Sequence, residues 1–211
     1  MPAPGLAAAL RAGLAELPGA ALDTARVDAL LAYLDLLQRW NRSYNLTAVR
    51  DPAEMVTRHL LDSLAALPFV PPGRLLDAGT GAGLPGVPLG IARPELDVTL
   101  LDSAGKKIRF LNQVRRELGV ANLHPVQARL ERYRPDRPFE AVISRAFASL
   151  AAFAGAARHL AGAAPLLAMK GRLPEDELAA LPAWVQVRSV ERLTVPGLQE
   201  DRHLVIMCVI P

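Results

Sequence analysis

The run Leu75-Leu76-Asp77-Ala78-Gly79-Thr80-Gly81-Ala82-Gly83-Leu84-Pro85-Gly86 carries an apolar strand into an acid and then into a ladder of glycines, where backbone can pass close beside a ligand. A second apolar run, Val98 to Leu101, ends on Asp102. Strand, glycine turn, helix and a second strand ending in a carboxylate form the front half of a doubly wound nucleotide site, with the acid placed for ribose hydroxyls. The chemistry to expect is that of a bound cofactor.

Gly81-Ala82-Gly83-Leu84-Pro85-Gly86 satisfies the dinucleotide pattern GxGxxG, and Asp102 stands at a suitable distance, so a nicotinamide reading must be weighed. Two features count against it. The glycine ladder begins earlier, as Asp77-x-Gly79-x-Gly81-x-Gly83, and the chain ends in what reads as an antiparallel hairpin where a dinucleotide fold continues in parallel. No stretch reads as a second domain for a hydride partner either. An acid closing the first strand before GxGxG, and another closing the next strand, resembles the S-adenosylmethionine site of class I methyltransferases. That cofactor has no pyrophosphate; it carries a zwitterionic methionine tail, which glycines let backbone approach, and a ribose diol, which a carboxylate can accept.

The elements that must position these residues are legible in the pattern. Residues 1–72 read as a helical cap, in which Val27, Leu30, Leu31, Leu34 and Leu37 follow the spacing of one buried helix face. Asp51, Pro52 and Glu54 predict a capped helix start with a capping box, and Pro68 with Pro71-Pro72-Gly73 marks a hinge. Residues 73–211 then alternate strands (near 74–78, 98–102, 123–127, 139–144 and 165–170) with helices, one of them ended by Gly119 and another spanning Ala146 to Ala164. Val185 to Val195 and His203 to Ile210 read as the closing hairpin. The expected architecture is an α/β, Rossmann-like, seven-stranded and mostly parallel sheet with an antiparallel C-terminal hairpin and a helical N-terminal cap.

Composition narrows the classes. A chain of 211 residues can bury its own core, and its single cysteine, Cys208, has no disulfide partner, which points to a reducing compartment. No run reaches the roughly 20 apolar residues of a membrane helix, and the N-terminal stretch, with Arg11 and Glu16, does not read as a secretion signal; a cytoplasmic protein is expected. Net charge is +3, but Ser103 to Arg145 holds ten Lys/Arg against four acids, the footprint of a surface that meets phosphates or of a solvated helix face. The histidines His59, His124, His159 and His203 are dispersed, with no spacing for zinc, so no metal is expected. His59 reads as a packing residue joining cap to sheet, and Trp40 and Tyr44 as packing at a helix end.

Across most of the chain a more specific resemblance emerges. Trp40-Asn41, Asn45-Leu46-Thr47, Arg50-Asp51-Pro52, Arg58-His59-Leu60-Leu61-Asp62-Ser63, the glycine turn, Leu101-Asp102-Ser103, Lys106-Lys107, Phe110-Leu111, Ser144-Arg145-Ala146-Phe147-Ala148, Ala168-Met169-Lys170-Gly171 and Arg202-His203-Leu204 together resemble the RsmG family, also called glucose-inhibited division protein B. The resemblance implies S-adenosylmethionine-dependent methylation of N7 of one guanine in 16S ribosomal RNA, on the small ribosomal subunit; a monomer is expected, although no residue pattern in the sequence sets the oligomeric state. It implies cofactor contacts at Gly79, Leu84, Asp102, Ser103, Ala104, Leu130, Glu131 and Arg145; Asp77 and Gly81 join them from the general geometry of class I methyltransferases. Glu131 reads equally as an exposed helix residue. Guanine N7 is an unprotonated lone pair, so no general base is required and no catalytic residue is nominated. The absence of an Asn/Asp-Pro-Pro-aromatic run after the fourth strand, where Ser144-Arg145-Ala146-Phe147 stands, suits a ring-nitrogen target. Arg145, Lys170 and Arg109 are the leading candidates for RNA contact, with a structural ion pair the plain alternative for Arg145; Arg116, Arg132, Arg134 and Arg137 are further candidates for phosphate, each with a solvated surface charge as the alternative. Two other functions remain open: a class I methyltransferase with a small-molecule or protein substrate, and a non-catalytic RNA-binding assembly factor.

Overall fold

The computed structural model describes residues 4–145, 147–162 and 164–210; Ala146 of the motif after the fourth strand lies outside them. Helix α1 (Pro4–Glu16) leads to α2 (Thr24–Tyr44), started by Asp23, whose carboxylate accepts the Arg26 N–H at 2.8 Å, and ended by Asn45 in the left-handed conformation at φ 48°. The predicted stripe of α2 is buried in full, with Tyr33 and Leu36 beside it. Asp51 caps α3 (Pro52–Met55) as expected, through Ala53 N–H at 2.7 Å. The reciprocal half of the capping box does not form: Glu54 is exposed and makes no hydrogen bond among the described residues, because water serves its carboxylate as well. The helix then widens into a π-helical stretch, Val56–Leu61, tightens into α4 (Asp62–Leu64), and ends at a 3₁₀ turn, Leu67–Phe69, around Pro68.

The sheet region runs β1 (Arg74–Ala78), α5 (Gly86–Ala92), β2 (Asp97–Asp102), α6 (Gly105–Leu118), β3 (Leu123–Gln127), β4 (Ala141–Ser144), α7 (Leu150–Ala161), β5 (Leu166–Lys170), α8 (Glu175–Ala179), β6 (Val185–Arg192) and β7 (His203–Val209). Strand order is β3-β2-β1-β4-β5-β7-β6, with the first five strands parallel and β7 antiparallel to both β5 and β6. The order reverses between β1 and β4, so the crevice outside their carboxyl ends is the place where this class of sheet binds ligands. Gly119 ends α6 at φ 63°, as expected. Helix α7 is shorter than the alanine-rich run because Ser149 caps it, accepting the Ala152 N–H. Strand β4 starts two residues late, after buried Phe139.

Alternation along the strands divides the core. Leu75, Val98, Leu100, Ile143 and Leu167 face α5, α6 and the N-terminal helices in one continuous cluster that includes Leu10, Leu30, Leu37 and Leu60. Leu76, Leu101, Val142 and Leu166 face α7 on the other side. The turn between β1 and α5 is packed into the first cluster. At Gly83 the backbone has φ +97°, and a Cβ there would lie 2.5 Å from Val87 Cγ2 and 2.8 Å from Leu111 Cδ2. Gly83→Ala should therefore lower unfolding free energy by about 2–4 kcal/mol, overpacking and left-handed strain together. Urea unfolding reads this directly; a loss below about 0.5 kcal/mol, the scale of a neutral surface change, would contradict the packing.

Candidate functional site

Asp77 closes β1 beneath the glycine turn, fully buried. Its Oδ2 accepts the Thr80 hydroxyl at 2.6 Å and the Gly86 N–H at 2.8 Å, so one oxygen pins both ends of the turn. Oδ1 has no partner among the described residues, and burial pushes the carboxyl up to about 6 despite those two hydrogen bonds. The N–H groups of Gly79 and Thr80 donate to Leu101 O at 2.9 and 3.0 Å, tying the turn to the end of β2. From the cap, the Tyr33 hydroxyl donates to Ala82 O at 2.7 Å; burial raises its pKa, so it stays a donor. The turn is held from three sides.

One step along the sheet, Asp102 ends β2. Its Oδ1 accepts the Ala104 N–H at 2.9 Å, and its Oδ2 accepts the Gly81 N–H and the Lys107 ammonium, both at 3.0 Å. Asp102 borders a cleft of about 250 Å³ whose other walls include Gly79, Ser103, Lys107, Leu130, Glu131 and Phe147. Five of the cofactor residues read from the sequence, Gly79, Asp102, Ser103, Leu130 and Glu131, thus share one cleft. Gly81 and Ala104 reach it through their N–H bonds to Asp102. Asp77 is buried beneath the glycine turn and does not line the cleft, and neither does Leu84, which is buried within the turn.

The remaining candidates go elsewhere. Arg145 lines a neighbouring pocket of about 350 Å³ between the cap and the ends of β4, β5 and β7, where Nη1 donates to Arg58 O at 3.0 Å and to Asp62 Oδ2 at 2.8 Å. Arg202 donates through Nε to the other oxygen of Asp62 at 2.9 Å. Lys170 shares the pocket and pairs with Glu177 at 2.8 Å. Arg109 is exposed in a separate recess with Trp40, Arg115 and Arg116, away from both. Trp40 stacks on Tyr44 and packs against Phe110, as packing at a helix end requires. Among the described residues no group of three or more His, Cys, Asp and Glu could hold a metal, and no helix is long and apolar enough to cross a membrane.

Sequence reasoning gave no role to Lys107, Phe147, Asp62 or Arg202. For Lys107 a signal existed, a cation in the first turn of the helix that follows the strand-ending acid. For Asp62 and Arg202 the spacing offers none, since 140 residues separate the bonded pair.

The family model described as rRNA small subunit methyltransferase G matches residues 26–205. A ribosomal RNA small subunit methyltransferase G of Alkalilimnicola ehrlichii is 55% identical over 197 residues, covering 93% of this chain and 89% of the relative. The protein of the same name in Pseudomonas aeruginosa is 56% identical over 191 residues, 90% of this chain and 89% of the relative. Among solved structures, a SAM-dependent methyltransferase from Aquifex aeolicus superposes with TM-score 0.58 at 18% identity, over 78% of this chain and 97% of that one. The S-adenosylmethionine-dependent methyltransferase SibL gives TM-score 0.58 at 17% identity, over 98% and 75%. At those identities the likeness is one of fold.

His59, on the π-helical stretch, bonds Thr47 Oγ1 through Nε2 at 2.9 Å, and burial lowers its pKa from 6.5 to about 4. Between those values the unfolded chain binds a proton that the folded protein refuses, so the stability associated with neutral His59 is complete above pH 6.5 and is lost as pH falls toward 4. Asp77 works in the opposite sense, because its raised pKa subtracts stability as pH rises from 3.8 to about 6. Ring titration by NMR should place the His59 midpoint near 4, and His59→Gln should flatten the acid-side fall in stability. A midpoint at the ordinary histidine value would contradict the buried, neutral assignment.

Proposed function

The chain belongs to the rRNA small subunit methyltransferase G family, and on that premise we propose that it methylates N7 of one guanine in 16S ribosomal RNA of the small ribosomal subunit, with S-adenosylmethionine as donor. The observation that carries this reading is the convergence of Gly79, Asp102, Ser103, Leu130 and Glu131 on one cleft at the carboxyl ends of β1 and β2. We also propose a division into a helical cap, 1–72, and a Rossmann-like domain, 73–211, supported by the first strand of the sheet beginning at Arg74 and, among the described residues, every other strand following it, and a monomer acting in the cytoplasm, where a ribosomal substrate is found.

The residues present fit the cofactor. Gly79 and Gly81 leave bare backbone at the mouth of the turn, and Asp102 supplies carboxylate oxygens suited to a ribose diol. The side chains of Leu130 and Phe147 offer apolar wall for an adenine. Lys107 holds one of the acceptor sites on Asp102 and must release it for both hydroxyls to be taken. When bound, the cofactor supplies an electrophilic methyl group on a sulfonium. Guanine N7 carries no proton, so the chain has none to remove at the reacting atom, and its task is to hold base and donor in line, an effect on the order of several kcal/mol. Buried Asp77 keeps the glycine turn in shape without being asked to act as a base.

Two outcomes are expected. Small subunits from a strain lacking the modification, incubated with protein and labelled cofactor and then cleaved with borohydride and aniline, should show one new N7 mark; none would contradict the assignment. Asp102→Asn should weaken S-adenosylhomocysteine binding by about ten- to a hundredfold in calorimetry, the scale of a lost charged hydrogen-bond acceptor, while the melting transition persists. Unchanged affinity would mean that the ribose is held elsewhere.

A further inference from the structure

The pocket beside the cleft has a charge that its own residues leave unbalanced. Asp62 is 3% exposed and stands between two guanidinium groups, Arg145 at 2.8 Å and Arg202 at 2.9 Å. The other cations at its rim have their own acids: Arg58 pairs with Glu200 at 2.6 Å and Lys170 with Glu177 at 2.8 Å. His59 is held neutral by burial. Among the residues that line the pocket, one carboxylate faces two half-buried arginines; the buried carboxyl of Asp77 acts on Arg145 from beneath the glycine turn without an ion pair, so the pocket itself stays positive and suits a counter-ion. Donors are also left over. Arg145 spends only Nη1 on Asp62 and the Arg58 carbonyl, and Arg202 spends Nε and Nη1 on Asp62 and the Asp201 carbonyl, so among the described residues Nε and Nη2 of Arg145 and Nη2 of Arg202 have no protein partner.

We propose that this pocket grips a backbone phosphate of the RNA next to the target guanine, with Arg145 and Arg202 as its two guanidinium jaws and Asp62 as the residue that sets their spacing. The inference rests on the function proposed above and names where the substrate's charge is read. Several acceptor oxygens on one anion suit planar guanidinium donors. The base itself is a poorer occupant, because it is neutral and its N7 must stay free of donors to react. The same anion chemistry is offered by the cofactor's carboxylate, and the family resemblance implies a cofactor contact at Arg145, yet the pocket that holds Arg145 and the cleft around Asp102 have no lining residue in common, and Arg202 belongs to the pocket alone. The pocket opens where β4 and β5 end, at Arg145 and Lys170, on the side of the sheet's switch point.

The test compares wild type, Arg202→Gln and Arg202→Lys in two measurements: calorimetric affinity for S-adenosylhomocysteine, and binding to unmodified small ribosomal subunits over a series of salt concentrations. Arg202→Gln should leave the first within twofold and reduce the slope of log affinity against log salt by about 0.7–0.9, the amount associated with one phosphate contact. Arg202→Lys keeps the charge and should keep the slope, while losing about tenfold in subunit affinity because an ammonium lacks the planar group that holds Asp62 through Nε and offers Nη2 to the anion. Should Arg202→Gln lose its melting transition, the lysine variant alone decides, and unchanged subunit affinity in it overturns the proposal. An unchanged slope in a folded Arg202→Gln overturns it as well. A fall in S-adenosylhomocysteine affinity would assign the anion to the cofactor and also overturn it. A wild-type protein with no salt-dependent subunit binding would remove the proposed function together with this inference, whereas normal wild-type behaviour with indifferent variants removes the inference alone.

Discussion

The whole site depends on one buried carboxylate and the turn wrapped over it. Asp77 lies beneath residues 79–86, and a single oxygen gathers a hydroxyl from the start of that turn and an N–H from its end. Burial without an ion pair among the described residues makes the charged form expensive, which is why its pKa rises toward 6 in spite of those hydrogen bonds. The arrangement is possible only because no side chain intrudes: a Cβ on Gly86 would stand 2.7 Å from Asp77 Oδ2. With the turn fixed, Gly81 presents its N–H to Asp102, and the two strand-ending acids become parts of one structure, one oriented inward as a clasp and the other facing the cleft.

The N-terminal helices extend this constraint. They share a continuous core with one face of the sheet, and Tyr33 carries the contact to the glycine turn itself through Ala82. Further along, the π-helical stretch is followed by Asp62, which meets arginines from the ends of β4 and β7. A wide helical turn at such a point is a frequent feature of functional sites, since it shifts the facing of the residues that follow. The cap thus contributes one side of the pocket in which Arg145 and Arg202 are held, while the cleft around Asp102 is lined by strand ends, turns and α6 of the sheet region.

What was legible in the sequence was local. Short apolar runs gave the strands, the spacing of Val27 to Leu37 gave the buried face of α2, and Gly119 gave the end of α6, because each of these depends on neighbours a few residues away. The glycine turn and Asp102 were readable for the same reason. Long-range pairing was not. Nothing in the spacing of Asp62, Arg145 and Arg202 says that they meet, and the expectation of a reciprocal capping box at Glu54 failed because an exposed carboxylate gains little by bonding a helix end that water also reaches. Arg145 shows both sides of this: its position after β4 was legible, its partner was not, and the ion pair weighed as the plain alternative is part of the pocket it forms.

A crystal structure of the protein with S-adenosylhomocysteine should show the ribose hydroxyls on Asp102, the Lys107 ammonium withdrawn from that carboxylate, and the glycine turn unmoved over Asp77. A nucleoside bound elsewhere, or an Asp102–Lys107 pair intact beside an empty cleft in ligand-saturated crystals, would contradict this placement of the cofactor.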